Sequence, residues 1–331
     1  MKTRMMLAGV MFVAGATAAG AQCPTAAADA CRKATDVLSF MTPQLSTALA
    51  GGNPTLGQGG VLGGLGHFSL DVRASAVNGS TPQLNNVNLS TNGAVASSFA
   101  SKSQILPFPS VDLGVGLWKG ASLGVTHVLG VDGIVTATYI PNMNNNSNGT
   151  STNFYVNGSN LQLGYGVRVG LLEEGARWPG ASFVYAQRSL PSLSVSGTFS
   201  PVAGSPNVTG TMALNDFSVK TSVWRVTAAK NVLIFNLSLG FGQDKYDASS
   251  SVTAAVTAPS PVGRQTGTIS PPFTMTRTNF FVGAAVNLFI FKVEGEYGQV
   301  SGGTVPTLLN DFGSDPNGSR SYFTLGLRFG R

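Results

Sequence analysis

Residues 161–172 read Leu161-Gln162-Leu163-Gly164-Tyr165-Gly166-Val167-Arg168-Val169-Gly170-Leu171-Leu172. Leu161, Leu163, Tyr165, Val167, Val169 and Leu171 alternate without a break with Gln162, Gly164, Gly166, Arg168 and Gly170. In an extended chain this puts one wholly apolar face opposite a face of small and polar side chains. The run is as long as a strand needs to be to cross hydrocarbon at a tilt, about 9–11 residues. A soluble β-sandwich alternates as well. Its outward positions, however, would carry solvated salt bridges, whereas Gly, Ser, Thr and Asn dominate the polar positions here.

The same period of two recurs along the chain from about residue 65. Phe68, Leu70 and Val72 alternate with His67, Ser69, Asp71 and Arg73, and Val111 to Leu117 alternate with Asp112, Gly114 and Gly116. Phe217, Val219, Thr221 and Val223 alternate with Asp216, Ser218, Lys220 and Ser222. Leu233 to Phe241, Phe280 to Leu288, Phe291 to Tyr297 and Phe323 to Phe329 repeat the pattern, and 131–140 and 181–189 carry a weaker form of it. Long polar stretches over 78–108, 141–160, 190–212, 244–272 and 300–320 alternate with short links. Unequal connections of this kind mark an antiparallel up-and-down sheet with a long-loop end and a short-turn end.

The expected fold is therefore all-β: a transmembrane antiparallel up-and-down β-barrel. In lipid every strand amide needs a partner, so the sheet must close on itself. The parse yields about ten strands, or twelve to fourteen if 78–108 or 190–212 splits further. Both chain ends of the barrel fall on the short-turn side. Aromatics near strand ends, among them Trp118, Tyr139, Phe273, Tyr297 and Tyr322, are expected to form girdles at the two interfaces.

Composition agrees. Only 10% of the 331 residues are charged, against about 25% in an average soluble domain. With 43% apolar residues the chain is not a disordered one, and 42 glycines argue against a helical bundle. Two Cys and two His exclude a zinc framework, and no motif points to a cofactor or a metal. Without Lys2 and Arg4 of the expected export signal the formal charge falls from +6 to a mild +4, and no Lys/Arg cluster exists, so nucleic acid is not an expected partner.

Three segments follow. Residues 1–21 read as an export signal: Lys2 and Arg4, an apolar run over Met5–Ala16, then Ala19-Gly20-Ala21. Residues 22–60 form a helical segment and a glycine-rich hinge, with Pro43 expected to end or kink the helix. This segment lies either in the periplasm or in the lumen as a partial plug. Residues 61–331 form the barrel. Cys23 and Cys31 are disulfide candidates in an exported chain. In one continuous helix they would be about 12 Å apart, too far to bridge. Either the chain folds back ahead of the helix or both thiols are free.

The last strand is more specific. Ser321-Tyr322-Phe323-Thr324-Leu325-Gly326-Leu327-Arg328-Phe329 resembles the final strand of Gram-negative outer-membrane β-barrel proteins, and the chain as a whole is similar to uncharacterised porin-like barrels. In that family the assembly machinery reads alternating apolar residues ending on an aromatic. The resemblance therefore implies an assembly signal at Phe323, Leu325, Leu327 and Phe329, location in the outer membrane, and outer-membrane lipid and the barrel assembly machinery as partners. Here Gly330 and Arg331 follow the aromatic, a departure from the usual ending.

Alternation directs Asp71, Arg73, Arg168, Lys220, Lys292, Glu294, Glu296 and Arg328 into the lumen, with Arg188, Arg225 and Arg277 as further candidates. Two outcomes are open. A hydrated basic lumen favours anions, whereas cross-strand ion pairs fill a narrow one. His67 and Ser69 share a strand face, an arrangement able to deprotonate a serine. They have no assignable third partner, so His67 is read as a plain lumenal histidine and no enzyme is expected. The leading functional expectation is a porin-like channel for passive diffusion of small solutes. The alternative is a closed barrel with a structural, adhesion or partner-binding role through its long loops. One observation decides the architecture: Phe68, Leu163, Phe235 and Val282 must lie outside the cylinder, not against one another in a dry centre.

Overall fold

The computed structural model describes residues 23–82, 89–140, 143–147, 150–199 and 209–330. The expected export signal over residues 1–21 lies outside them. A helix, α1 (Thr25–Ala50), precedes the strands β1 (Phe68–Pro82), β2 (Ser101–Trp118), β3 (Ala121–Leu123), β4 (Thr126–Val128) and β5 (Gly130–Tyr139). Next come β6 (Met143–Ser147), β7 (Thr150–Asn157), β8 (Leu161–Leu172), β9 (Gly180–Ser189), β10 (Ser192–Phe199) and β11 (Thr209–Val232). The chain ends with β12 (Phe235–Ala258), β13 (Gly263–Ile269), β14 (Phe273–Leu288), β15 (Phe291–Ser301) and β16 (Arg320–Gly330).

Ten of these strands close a ring in the order β1, β2, β5, β8, β9, β11, β12, β14, β15, β16, and β16 returns to β1. Every neighbour is antiparallel. The register Asp71↔Arg328 closes the cylinder on one side of β1, and Asp71↔Asp112 continues it on the other. The other strands decorate the two ends. β3 and β4 form a small hairpin in the link after β2, while β6, β7, β10 and β13 extend the wall at the long-loop end.

Phe68, Leu163, Phe235 and Val282 are all exposed on the outside of the ring, which excludes a dry sandwich. So are Phe323, Leu325, Leu327 and Phe329 of the last strand. Trp118, Tyr139 and Tyr297 also face outward, as girdle residues should, but Phe273 and Tyr322 are buried inside. The outward positions form an apolar band and the inward ones are mostly polar or charged, as the alternation requires.

The lumen is occupied. α1 is buried along most of its length and packs on β12, β11, β1 and β13. Its N-terminal end is at the long-loop mouth, where Cys23 lies against Gly267 of β13. Its C-terminal end is at mid-barrel, where Gly51 takes a left-handed conformation (φ 41°) and donates to the Thr47 carbonyl. Residues 52–66 continue to the short-turn end. There Gly59 passes so close to the wall that a Cβ on it would lie 2.5 Å from the Gly180 carbonyl oxygen. Pro43 neither ends nor breaks α1. A proline in a free helix costs about 3 kcal/mol, but this helix is held along most of its length by packing on wall strands, and Pro43 itself is buried. Side chains add carbonyl partners around it, Thr42 to Leu38 and Thr47 to Pro43.

β11 corrects one expectation. Lys220 is exposed on the outside, while Phe217, Val219 and Val223 are buried inward. The inward apolar face exists because it packs against Leu38 and Leu49 of α1. A register irregularity between Asn215 and Ser218 precedes it. Below it the same strand turns Trp224 and Val226 outward and Arg225 inward. Alternation marked two faces correctly, but an apolar plug makes the lumen side the oily one at this height.

Candidate functional site

The lumen is built in three levels. At the long-loop mouth Cys23 and Cys31 form a disulfide, with Cα atoms 6.5 Å apart. Cys23 precedes α1 and the chain folds back to reach Cys31 inside it. Asp29 pairs with Lys33 at 2.5 Å and accepts the backbone N–H groups of Ser90 and Val95. Asp36 accepts the N–H groups of Leu309 and Asn310. Two long loops are thereby fastened over the helix. Phe40 and Phe99 both stack with Phe312, with centroids 4.7 and 5.2 Å away.

At the second level the contact is apolar. Leu38, Leu49 and Ala50 meet Phe217, Val219, Val223, Tyr246, Val252, Phe273 and Met275. Burial of this kind contributes about 1.5–3 kcal/mol per large side chain.

The third level is ionic. Of the side chains expected in the lumen, Asp71, Arg73, Arg168, Glu294, Glu296 and Arg328 are buried inward, and Lys292 is mostly so. Arg188, Arg225 and Arg277 join them. The charges pair with one another across strands. Arg328 meets Asp71 at 2.6 Å and Glu294 at 2.9 Å. Arg168 meets Asp132 at 2.5 Å, Arg225 meets Asp244 at 2.5 Å, and Arg73 meets Asp112 at 2.5 Å. Asp71 and Arg328, like Asp132 and Arg168, are direct register partners, which is where opposite charges attract best.

The same cations hold the N-terminal segment by its backbone. Arg73 donates to the carbonyls of Gly51 and Asn53, and Arg188 to that of Ala50. Positive charge at the end of α1 also complements its dipole. Arg328 donates to the Leu56 carbonyl, Arg168 to Gln58, and Lys292 to the Gly57 carbonyl at 3.1 Å. Asn53 donates its N–H to Glu296 at 2.9 Å and its amide to Thr227 at 2.9 Å. Gly52, with φ at +69°, passes where a Cβ would lie 2.8 Å from Thr324 Oγ1 and 2.9 Å from Glu296 Oε1.

Sequence reasoning missed the acidic halves of three pairs, Asp112, Asp132 and Asp244. Asp112 was on the polar face of its own alternation, between Val111 and Leu113, so a signal existed. Tyr246 and Tyr322 carried the same signal, since Tyr246 keeps the parity of Asn236, Gly240 and Gly242 and Tyr322 that of Thr324 and Arg328, but Tyr322 reads as a girdle aromatic. Both are buried, and their hydroxyls donate to Asp244 and to Glu296.

His67 departs from its expected place. It is exposed at the short-turn rim ahead of β1, whereas Ser69 is buried inward. The neighbouring sequence 57–66 crosses to this rim, so His67 is outside the ladder that sets lumen facing. His127 pairs with Glu173 at 2.5 Å on the same rim. Among the described residues no cluster of His, Cys, Asp and Glu could hold a metal ion. A vestibule of about 430 Å³ opens at the short-turn end, lined by residues 57–62, Asn231, Asn236, Asn287 and Lys292.

No family model matches the chain, and no curated protein matches it. Its fold is similar to several solved outer-membrane barrels at low identity. The outer membrane protease OmpT of Escherichia coli is 9% identical over 80% of this chain and 97% of its own, with a TM-score of 0.31. A FadL homologue of Pseudomonas aeruginosa is 9% identical over 94% and 99%, with a TM-score of 0.26. The anion-selective porin of Comamonas acidovorans is 10% identical over 80% and 98%, with a TM-score of 0.17. Likenesses this distant carry no argument about activity.

Proposed function

We propose that this chain is an outer-membrane β-barrel kept shut at rest by its own N-terminal segment. The observation that supports it most is the occupied lumen: α1 is buried inside the ring, and Arg73 and Arg188 hold its C-terminal end. A ten-strand cylinder has room for little more than its inward side chains, and a helix with its side chains is about 10–12 Å across. A membrane setting is supported by the closed hydrogen-bonded ring and the apolar outer band, since hydrocarbon tolerates no unpaired strand edge.

A closed barrel fits the geometry better than free diffusion. Small-solute passage is the second reading, favoured by the polar lower lumen and the 430 Å³ vestibule below it. It requires residues 23–62 to move. Planar-bilayer recordings separate the two. The full chain is expected to give no stable steps, and deletion of residues 23–62 is expected to give them. Equal conductance in both forms would sink the plug. In this reading outer-membrane lipid surrounds the band, and the assembly machinery recognises Phe323, Leu325, Leu327 and Phe329. The reading is of a non-enzymatic barrel; ester hydrolysis abolished by His67→Ala would overturn that part.

A further inference from the structure

The turns joining β11 to β12 and β14 to β15 break a local rule twice in the same way. The sequences are Asn231-Val232-Leu233-Ile234-Phe235-Asn236 and Asn287-Leu288-Phe289-Ile290-Phe291-Lys292. Register pairs Val232↔Phe235 and Leu288↔Phe291 leave two-residue loops. The first loop residue has positive φ in each: Leu233 at 56° and Phe289 at 53°. Two-residue hairpins place Gly, Asn or Asp at such positions, and a bulky residue there is an outlier. Both side chains protrude: Leu233 is 93% exposed and Phe289 fully so. The turns are neighbours, since Asn287 N–H donates to the Ile234 carbonyl at 2.8 Å. On the inner side Asn236 and Asn287 both donate to the Asn231 amide oxygen. The tips are thus oily outside and polar within.

The height of the apolar band says what covers them. An outer-membrane barrel presents a band about 25 Å tall. On β12 the outward residues run Phe235, Leu237, Leu239 and Phe241, and Gln243 and Lys245 follow. At about 3.4 Å per residue and a tilt of about 40°, Phe235 to Phe241 climbs only about 16 Å. Counted from Leu233 the climb is about 21 Å, and on β15 the span from Phe289 to Tyr297 is the same. Three strands from β12, β8 needs no such help: Leu161 to Leu171 climbs about 26 Å, and the link that follows carries Glu173, Glu174 and Arg177, with Glu174 bonded to Asn231 and Lys230 on the β11 side of the first turn.

We propose that Leu233, Ile234, Phe289 and Ile290 are a lipid-immersed anchor, forming the lower edge of the membrane band on one side of the barrel. The inference rests on the membrane reading above. Along β12, β14 and β15 the oily tips continue the lipid-facing surface without a polar break, the cation Lys230 on β11 being neutralised by Glu174, and that continuity selects acyl chains as the occupant over a periplasmic protein.

Spin labels test it in full-length protein reconstituted in pure phospholipid vesicles. The two native cysteines are paired, which leaves one introduced thiol to label. Leu233→Cys and Phe289→Cys are compared with Leu239→Cys in mid-band and Arg177→Cys on the charged link. Labels at 233 and 289 are expected to relax severalfold more with oxygen than with an aqueous nickel chelate, as at 239, while 177 shows the reverse. Nickel-dominated relaxation at 233 and 289, with 239 still oxygen-dominated, overturns the anchor and leaves the barrel reading intact. That result is also what a site reserved for a periplasmic protein gives. Nickel dominance at 239 overturns the membrane reading and the anchor with it.

Discussion

Arg73 holds Gly51. Its Nη1 donates to the Gly51 carbonyl oxygen at 2.7 Å while its Nε faces Asp112 at 2.5 Å, so a wall strand grips the end of the lumenal helix. Arg188 reaches the same acid at 3.4 Å and the Ala50 carbonyl at 2.7 Å. One buried carboxylate thus orients two cations, and both donate to the backbone of the plug.

Arg73→Ala leaves Asp112 buried with its better partner gone. Breaking one side of a buried pair costs about 3–5 kcal/mol, read as a lowered unfolding midpoint in detergent. The Arg73→Ala/Arg188→Ala double variant is expected to flicker open in planar bilayers. A midpoint and a conductance both unchanged would show that the clasp does not hold the segment.

The facing of β11 makes a paired prediction. Phe217→Ala opens a cavity against α1 and should cost about 3–5 kcal/mol. Lys220→Ala, three residues away on the outside, should stay within about 0.5 kcal/mol of the parent. Thermal unfolding of both variants checks this, and a reversed order would mean that the strand faces the other way.

The disulfide closes a short loop at the outer mouth, with eight residues of sequence separation. The chain-entropy relation gives about 2–3 kcal/mol for a loop of this size. A Cys23→Ser/Cys31→Ser variant should keep its barrel, because Asp29 and Asp36 still bind the covering loops. Added protease is expected to cut it faster between residues 23 and 36 than it cuts the parent. Equal cutting rates would show that the bridge contributes nothing to docking.

Gly59 threads a narrow gap between Gly180 and Ala229. Gly59→Val forces backbone apart and should cost about 1–3 kcal/mol, as overpacking does. A spin label in the 57–62 segment should become more mobile in that variant. If mobility and stability both match the parent, the segment is looser against the wall than this geometry implies.

Much of the cylinder was legible. Leu161 to Leu171 could face only one way in a sheet, and repetition of that pattern gave about ten strands, with twelve to fourteen left open, and the common side of both barrel ends. Most lumenal charges could be read for the same reason: a residue such as Arg168 sits between outward Val167 and Val169, and a strand has just two faces. His67 could not be read this way, because the ladder begins one residue later.

What the sequence determined by itself is the closed, two-faced wall, because alternation is local and each strand carries its own. What only the tertiary structure decided is that the lumen is filled, that Asp112 serves both Arg73 and Arg188, and that Phe217 and Val219 look inward. Those facts join residues far apart along the chain. An apolar side chain prefers any surface that removes it from water, and period two does not distinguish a helix within from lipid without.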